Sequence, residues 1–243
     1  EDQSVVHLKA IDIHDNKLYG IEYGSGKIVI FDLATNQMAI IETQGMGDGD
    51  LYYPSDVAAD DSGNIYVVEQ AGGQPGRLVK FDSNGDFVWS SNPFSKPASG
   101  VAVDNSGNIH VAIANQQGGG INKFDSNGNL LSTYGNMPST NGCFVQVGPT
   151  TIEFGSDGNI WVSIGNGCTI PWTGNNYNGV AMIQKYSTGG SLMSSFGSFG
   201  KDISFTDSSG VYHSDTADNG EFAKGPRAIT FDGGYMFAAD SSN

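Results

Sequence analysis

With 26 acidic against 11 basic side chains in 243 residues, the chain carries a net charge of −15 and lacks the basic surface that phosphate binding needs, which argues against nucleic acid and anionic membranes as partners. Its 35 glycines and 15% charged residues describe a turn-rich fold, and an aromatic content of 11% argues against disorder. No run of about twenty apolar residues is present, so no helix is expected to span a membrane.

In chain order, the short apolar segment SVVHL precedes a first four-strand unit, residues 9–43, with the runs KAIDIH, KLYGIE, KIVIFD and QMAIIE. Such a leading segment is a candidate outer strand for the last unit. A second unit covers 54–92, and the third, 97–135, is the cleanest copy. There GVAVD and NIHVAI flank Asn105-Ser106-Gly107, and INKF and NLLSTY flank Asp125-Ser126-Asn127-Gly128. Short Val/Ile-rich runs around Asn/Gly turns predict antiparallel hairpins. A fourth unit spans 149–197, and a fifth, 226–243, holds only the two strands AITFD and MFAAD.

Aligning the units places Leu18, Ile65, Ile109, Ile160 and Met236 in one column, at intervals of 47, 44, 51 and 76 residues. The shorter intervals fit four-stranded propeller blades, and the longer ones contain visible insertions. The next column is Tyr19, Tyr66, His110, Trp161 and Phe237, and the third strand ends in Phe31, Phe81, Phe124 and Tyr186. A ring recurring once per blade reads as a spacer packed between blades rather than as a binding site. The expected fold is an all-β propeller of four-stranded antiparallel blades in a single domain, four complete and a fifth partial.

The sequence resembles the NHL-repeat β-propellers. The resemblance is carried by Gly47-Asp48-Gly49-Asp50-Leu51-Tyr52-Tyr53-Pro54 before DVAADDSGNIYVVE, by GVAVDNSGNIHVA, and by Asn219-Gly220-Glu221-Phe222 leading to GPRAITFD. Six blades is common in that family, which implies a native ring of six and further strands outside this sequence. Alternatively a neighbouring chain supplies the strands, and the open sheet edge drives self-assembly.

Propeller geometry sorts the loops by face. Turns between strands one and two, and three and four, share a face and are short in every complete copy. The other face collects EQAGGQPGR, ANQQGGGI and the stretches 135–148, 165–179 and 198–225. Long loops in a compact fold carry function, so this face is the candidate binding surface. Cys143 and Cys168 both fall there; a bridge between them implies an oxidising location, extracellular, periplasmic or cell-surface, and two unpaired thiols are the alternative. Aligning on Pro54, Pro149 and Pro226 brings Ser55, Asp56, Ser99, Thr150, Thr151 and Arg227 to the channel mouth. Arg227 suits a substrate carboxylate, or an internal partner such as Asp56 or Glu153. Trp172 and Tyr177 offer stacking surface or pack against the blade top.

The resemblance also implies two catalytic alternatives, the peptidyl-hydroxyglycine amidating lyases, with a zinc site of several histidines, and the streptogramin lyases, with a catalytic histidine and a divalent cation. His7, His14, His110 and His213 are scattered through the chain, leaving His213 as the catalytic candidate, with Asp215 and Asp218 near it. Asp82-Ser83-Asn84-Gly85-Asp86 superficially resembles a calcium loop but lacks the downstream Glu, and similar turns recur at the same hairpin. The expectation is therefore a non-catalytic, secreted module without a required cofactor, calcium or zinc being the minor alternatives. Its ligand would be a protein, peptide or small molecule on the long-loop face.

Overall fold

The runs read above become strands in the expected order. In the computed structural model, residues 7–43, 45, 47–69, 76–94, 96–113, 119–135, 148–165, 168–169, 176–177, 182–196, 204–206, 212–214, 226–232 and 235–240 are described. Strands β1 (Leu8–His14), β2 (Lys17–Glu22), β3 (Ile28–Asp32) and β4 (Gln37–Ile41) form one sequential antiparallel sheet. β5 (Pro54–Ala59), β6 (Ile65–Glu69), β7 (Leu78–Phe81) and β8 (Phe87–Ser90) form the second. The third comprises β9 (Ala98–Val103), β10 (Ile109–Ile113), β11 (Gly120–Phe124) and β12 (Leu130–Tyr134). Next come β13 (Gly148–Phe154), β14 (Ile160–Gly165), and a small ribbon of β15 (Cys168–Thr169) and β16 (Asn176–Tyr177). β17 (Met182–Tyr186) and β18 (Leu192–Phe196) complete the fourth sheet in the order β13-β14-β17-β18. A second ribbon, β19 (Ser204–Thr206) with β20 (Tyr212–Ser214), precedes the last pair, β21 (Pro226–Asp232) and β22 (Tyr235–Asp240).

Two compact units divide the chain, Glu1–Val111 with Asn122–Ser132, and Ala112–Ile121 with Thr133–Asn243. In the first, β1, β5 and β9 lie side by side as the opening strands of successive blades. In the second, β13 lies beside β21. Leu8 pairs with Glu22 inside β1; the rest of the leading segment, except His7, lies outside the described residues.

Burial follows strand position. Every residue of β6 is buried, whereas β8 and β12 are largely exposed. A strand covered on both faces reads as a continuous apolar run, which is why IYVVE and IHVAI do not alternate. One cluster joins Tyr19, Ile21 and Ile28 of the first sheet to Val57, Ile65, Val67, Val79 and Phe81 of the second, with Leu51 between. Burial of each such side chain stabilises by about 1.5–3 kcal/mol. The ring column is buried at Tyr19, Tyr66 and His110, as a spacer should be, but Phe237 is 55% exposed. Its neighbour Thr230, directly opposite on β21, is exposed too, so this face of the β21-β22 pair is uncovered.

The hairpin turns share one hydrogen-bond pattern. In Asp60-Asp61-Ser62-Gly63-Asn64, the Ser62 and Asn64 amides donate to Asp60 Oδ1, and the Gly63 amide donates to Asp60 O. Asp82, Asp104 and Asp125 repeat it. Asp82 Oδ1 thus accepts two backbone amides, the arrangement of a turn. The glycine adopts φ of +76° to +87° in these four turns, where a side chain is strained. A Cβ on Gly128 would also press on the Trp89 ring, and one on Gly190 on Tyr134.

The turn carboxylate does a second job beneath the ring column. Asp60 Oδ2 accepts from the Tyr66 hydroxyl at 2.9 Å. Asp104 Oδ2 takes His110 Nε2 and Lys123 Nζ, each at 3.1 Å. In the fourth blade the turn opens with Gly155, and Lys185 pairs instead with Asp157 while lying 5.0 Å from the Trp161 ring centroid.

Candidate functional site

At the long-loop end, the opening strand of four blades carries a register shift at the same place. Leu8 faces Glu22 and Ala10 faces Ile21, which leaves Lys9 as the extra residue. Ser55, Thr150 and Arg227 hold that position in β5, β13 and β21. A bulge interrupts the ladder and re-aims the inserted residue. Ser55 Oγ is buried, 3.1 Å from Val68 O and 2.9 Å from Ala98 O, and Thr150 Oγ1 is 2.7 Å from Ser163 Oγ. These hydroxyls recover hydrogen bonds at the break. Lys9 puts a cation where β5 and β13 put hydroxyls, and Arg227 holds the same register position in β21.

Around Lys9 the surface is aromatic. Its Nζ lies 5.8 Å from the centroid of Tyr23, which follows β2. The Tyr23 ring packs on Tyr53 at 5.3 Å, and Tyr53 meets Tyr52 edge-on at 4.4 Å. Tyr23 is 49% and Tyr52 38% exposed. Tyr53 has φ +52°, a left-handed backbone rarely occupied by a bulky side chain. The strain is held by what lies underneath. Arg77 Nε donates to Glu69 Oε2 at 2.8 Å, its Nη2 donates to Gly47 O at 3.1 Å and Asp50 O at 2.6 Å, and the Tyr52 amide donates to Glu69 Oε1 at 2.6 Å. Leu51, 1% exposed, plugs the same segment into the core.

Two carboxylates tie neighbouring opening strands together. Asp12 Oδ2 accepts the Ala59 amide at 2.8 Å, and Asp56 Oδ2 accepts the Val101 amide at 2.9 Å. Burial raises both, and Asp56 is pushed up to about 7 by burial together with the Asp12 charge, against the opposing pull of the Val101 and Val57 amides.

No protein-family model matches the chain. Human NHL repeat-containing protein 3 is similar over 113 residues at 30% identity, 43% of this chain and 30% of that protein's length. The four-blade order and this match agree. The chain is a β-propeller, similar to an NHL-repeat protein over that stretch. Among solved structures, virginiamycin B lyase from Staphylococcus aureus, determined with quinupristin, has a TM-score of 0.51 at 16% identity, covering 96% of the propeller chain and 91% of the lyase. A chain of a nidogen/laminin complex has a TM-score of 0.54 at 15% identity, covering 82% of the propeller and 72% of that chain. At such identities the likeness is one of fold alone.

The propeller's aligned mouth residues therefore occupy different settings. Ser55 is buried, Asp56 is committed to Val101, Ser99 and Thr151 are half-buried, and Thr150 is bonded to Ser163. Arg227 is placed at its bulge, Tyr177 pairs with Cys168, and His213 pairs with Phe205, but their side chains lie outside the described residues. Trp172 and Cys143 also lie outside them. Lys9 escaped the alignment because the first blade has no proline at that point. Tyr23, Tyr52 and Tyr53 carried a usable signal, three tyrosines at loop positions assigned to one face.

Asp56 makes stability depend on pH in an uncommon direction for a carboxylate. Between about pH 4 and pH 7 the folded propeller holds a proton there that the unfolded chain has lost. Its contribution is fully present below the unfolded value and fades as pH rises through about 7. Chemical denaturation should show stability declining between about pH 4 and pH 7 and levelling off above that, with the decline shallower in Asp56→Asn. Equal slopes in the two proteins would remove the assignment.

Proposed function

We propose that the propeller is a secreted, non-catalytic binding module that takes a protein, peptide or small molecule on its long-loop face. The observation carrying this reading is the cluster of exposed Tyr23 and Tyr52 with half-buried Tyr53, on a segment braced by the largely buried Arg77–Glu69 pair. Large, rigid aromatic surface beside a fixed backbone is the composition of recognition sites. On the short-loop face, by contrast, the Asp60, Asp82, Asp104 and Asp125 carboxylates are taken up by their own turns. Secretion belongs to this reading through a Cys143–Cys168 bridge, for which alkylation without reduction should add no mass.

The test is selection from a displayed random-peptide library. Clones enriched on the wild-type propeller should lose binding to Tyr52→Ala and keep it with Asp61→Ala on the opposite face, both variants retaining the wild-type far-UV spectrum. Clones lost with Asp61→Ala and retained by Tyr52→Ala would move the function to the other face.

A further inference from the structure

Three tyrosines meet on this face at angles that make walls rather than a stack. Tyr52 and Tyr53 are 73° apart, and Tyr23 and Tyr53 45°. Ring faces carry negative quadrupole potential, so the faces this cluster leaves open to solvent favour a cation, by about 0.5–1 kcal/mol each at exposed sites and more when desolvated. One cation is already there. The Lys9 ammonium, on an exposed and bulged residue, lies over the Tyr23 ring.

The polar groups nearby point the same way. Glu22 directly precedes Tyr23 and is buried, with the Ser25 hydroxyl donating to it. Asp48 is exposed in the turn that leads to Tyr52. The other basic groups are engaged, Lys27 with Glu42 and Arg77 with Glu69. Tyr53 beside it raises the Tyr52 phenol, which favours the neutral form. A chain charge of −15 adds a field that attracts cations and repels anions.

We propose that Tyr23, Tyr52 and Tyr53 form a recognition site for an alkylammonium or guanidinium group, with Lys9 as the internal cation that the ligand displaces. The inference rests on the binding-module reading and narrows it to one ligand chemistry. Two sources fit, a free organic cation and the basic side chain of a peptide. Displacing Lys9 lowers apparent affinity by the fraction of molecules in which the lysine is docked. Removing the lysine should therefore tighten binding.

Tetramethylammonium chloride and the capped peptide Gly-Arg-Gly are titrated into the full chain at matched ionic strength, and tyrosine ring resonances are followed by NMR. Saturable shifts are expected. They should weaken roughly tenfold in Tyr23→Ala, stay within about threefold in Tyr23→Phe, which keeps the ring face, and tighten about threefold or more in Lys9→Gln. Tighter binding of the peptide assigns a basic segment, and tighter binding of tetramethylammonium assigns a small organic cation. No saturable shift with either probe, or shifts unchanged by Tyr23→Ala, overturns the proposal. So does capture of an acidic peptide that is lost in Lys9→Gln, which would leave the binding-module reading standing with the opposite ligand charge. The module reading fails separately, if library selection enriches no clone sensitive to Tyr52→Ala.

Discussion

Asp104→Ala is expected to destabilise the protein by about 3–5 kcal/mol, the range for removing one partner of a buried ion pair. Asp104 is 7% exposed, His110 is fully buried, and the Lys123 side chain is 16% exposed. The single carboxylate also serves the Ser106 and Asn108 amides and the Asn108 side chain. Burial alone would push its pKa up, but the bonds from His110, Asn108 and Lys123 outweigh burial and hold it well below the usual carboxylate range. That stabilisation is present above about pH 4 and is lost as pH falls through the depressed value. His110 is held below its ordinary pKa by burial and by Lys123, against the Asp104 bond, and so adds stability that fades as pH drops through 6.5. Asp125→Ala is the control, because Asp125 makes the same turn bonds at a half-buried site with no ion partner among the described residues. Equilibrium denaturation of both variants separates the turn from the ion cluster. A loss at Asp104 no larger than at Asp125 would show that the buried cluster adds nothing.

That cluster marks where sequence reading stopped. Strands and turns were legible because both have local causes: β6 is apolar since both faces are covered, and Gly63 and Gly107 sit where φ must be positive. The ring column was legible from the repeat period, and Phe81, Phe124 and Tyr186 ended the third strand as read, with Phe31 one residue short of the end. The lysines opposite Tyr66 and Trp161 were not. Tyr66 faces Lys80 and Trp161 faces Lys185 only once β6 is registered on β7 and β14 on β17. Register across a long loop has no local signature. The ribbons β15-β16 and β19-β20 were hidden for a related reason, since two- or three-residue pairings are too short to show periodicity.

The candidate site was half legible for reasons of the same kind. Proline alignment found Ser55, Thr150 and Arg227, yet what unites them is a bulge, and a bulge without glycine leaves no mark in sequence. Lys9 shares that geometry without sharing the proline. Tyr52 and Tyr53 were visible within the repeat motif, but their exposure depends on Leu51 rather than a tyrosine being the residue that enters the core. Residue type alone would have buried all three.

Glu69→Ala should have the largest effect on the tyrosine surface itself, together with a stability loss of about 3–5 kcal/mol. The Glu69 and Arg77 side chains are 6% and 15% exposed, so alanine leaves a guanidinium desolvated without its counter-ion. It also strips the acceptor from the Tyr52 amide. Among the described residues Arg77 would then keep the Gly47 and Asp50 carbonyls, which carry no compensating charge. The left-handed Tyr53 depends on this bracing, and its loss should release the ring packing with Tyr52 and Tyr23. Near-UV circular dichroism should weaken at temperatures where the far-UV spectrum is still native. Arg77→Ala leaves Glu69 available to the Tyr52 amide, so it should disturb the tyrosine signal less even though it breaks the same ion pair. Identical near-UV losses in the two variants would mean that the ion pair alone, and not the Glu69 bond to the Tyr52 amide, holds the tyrosines in place.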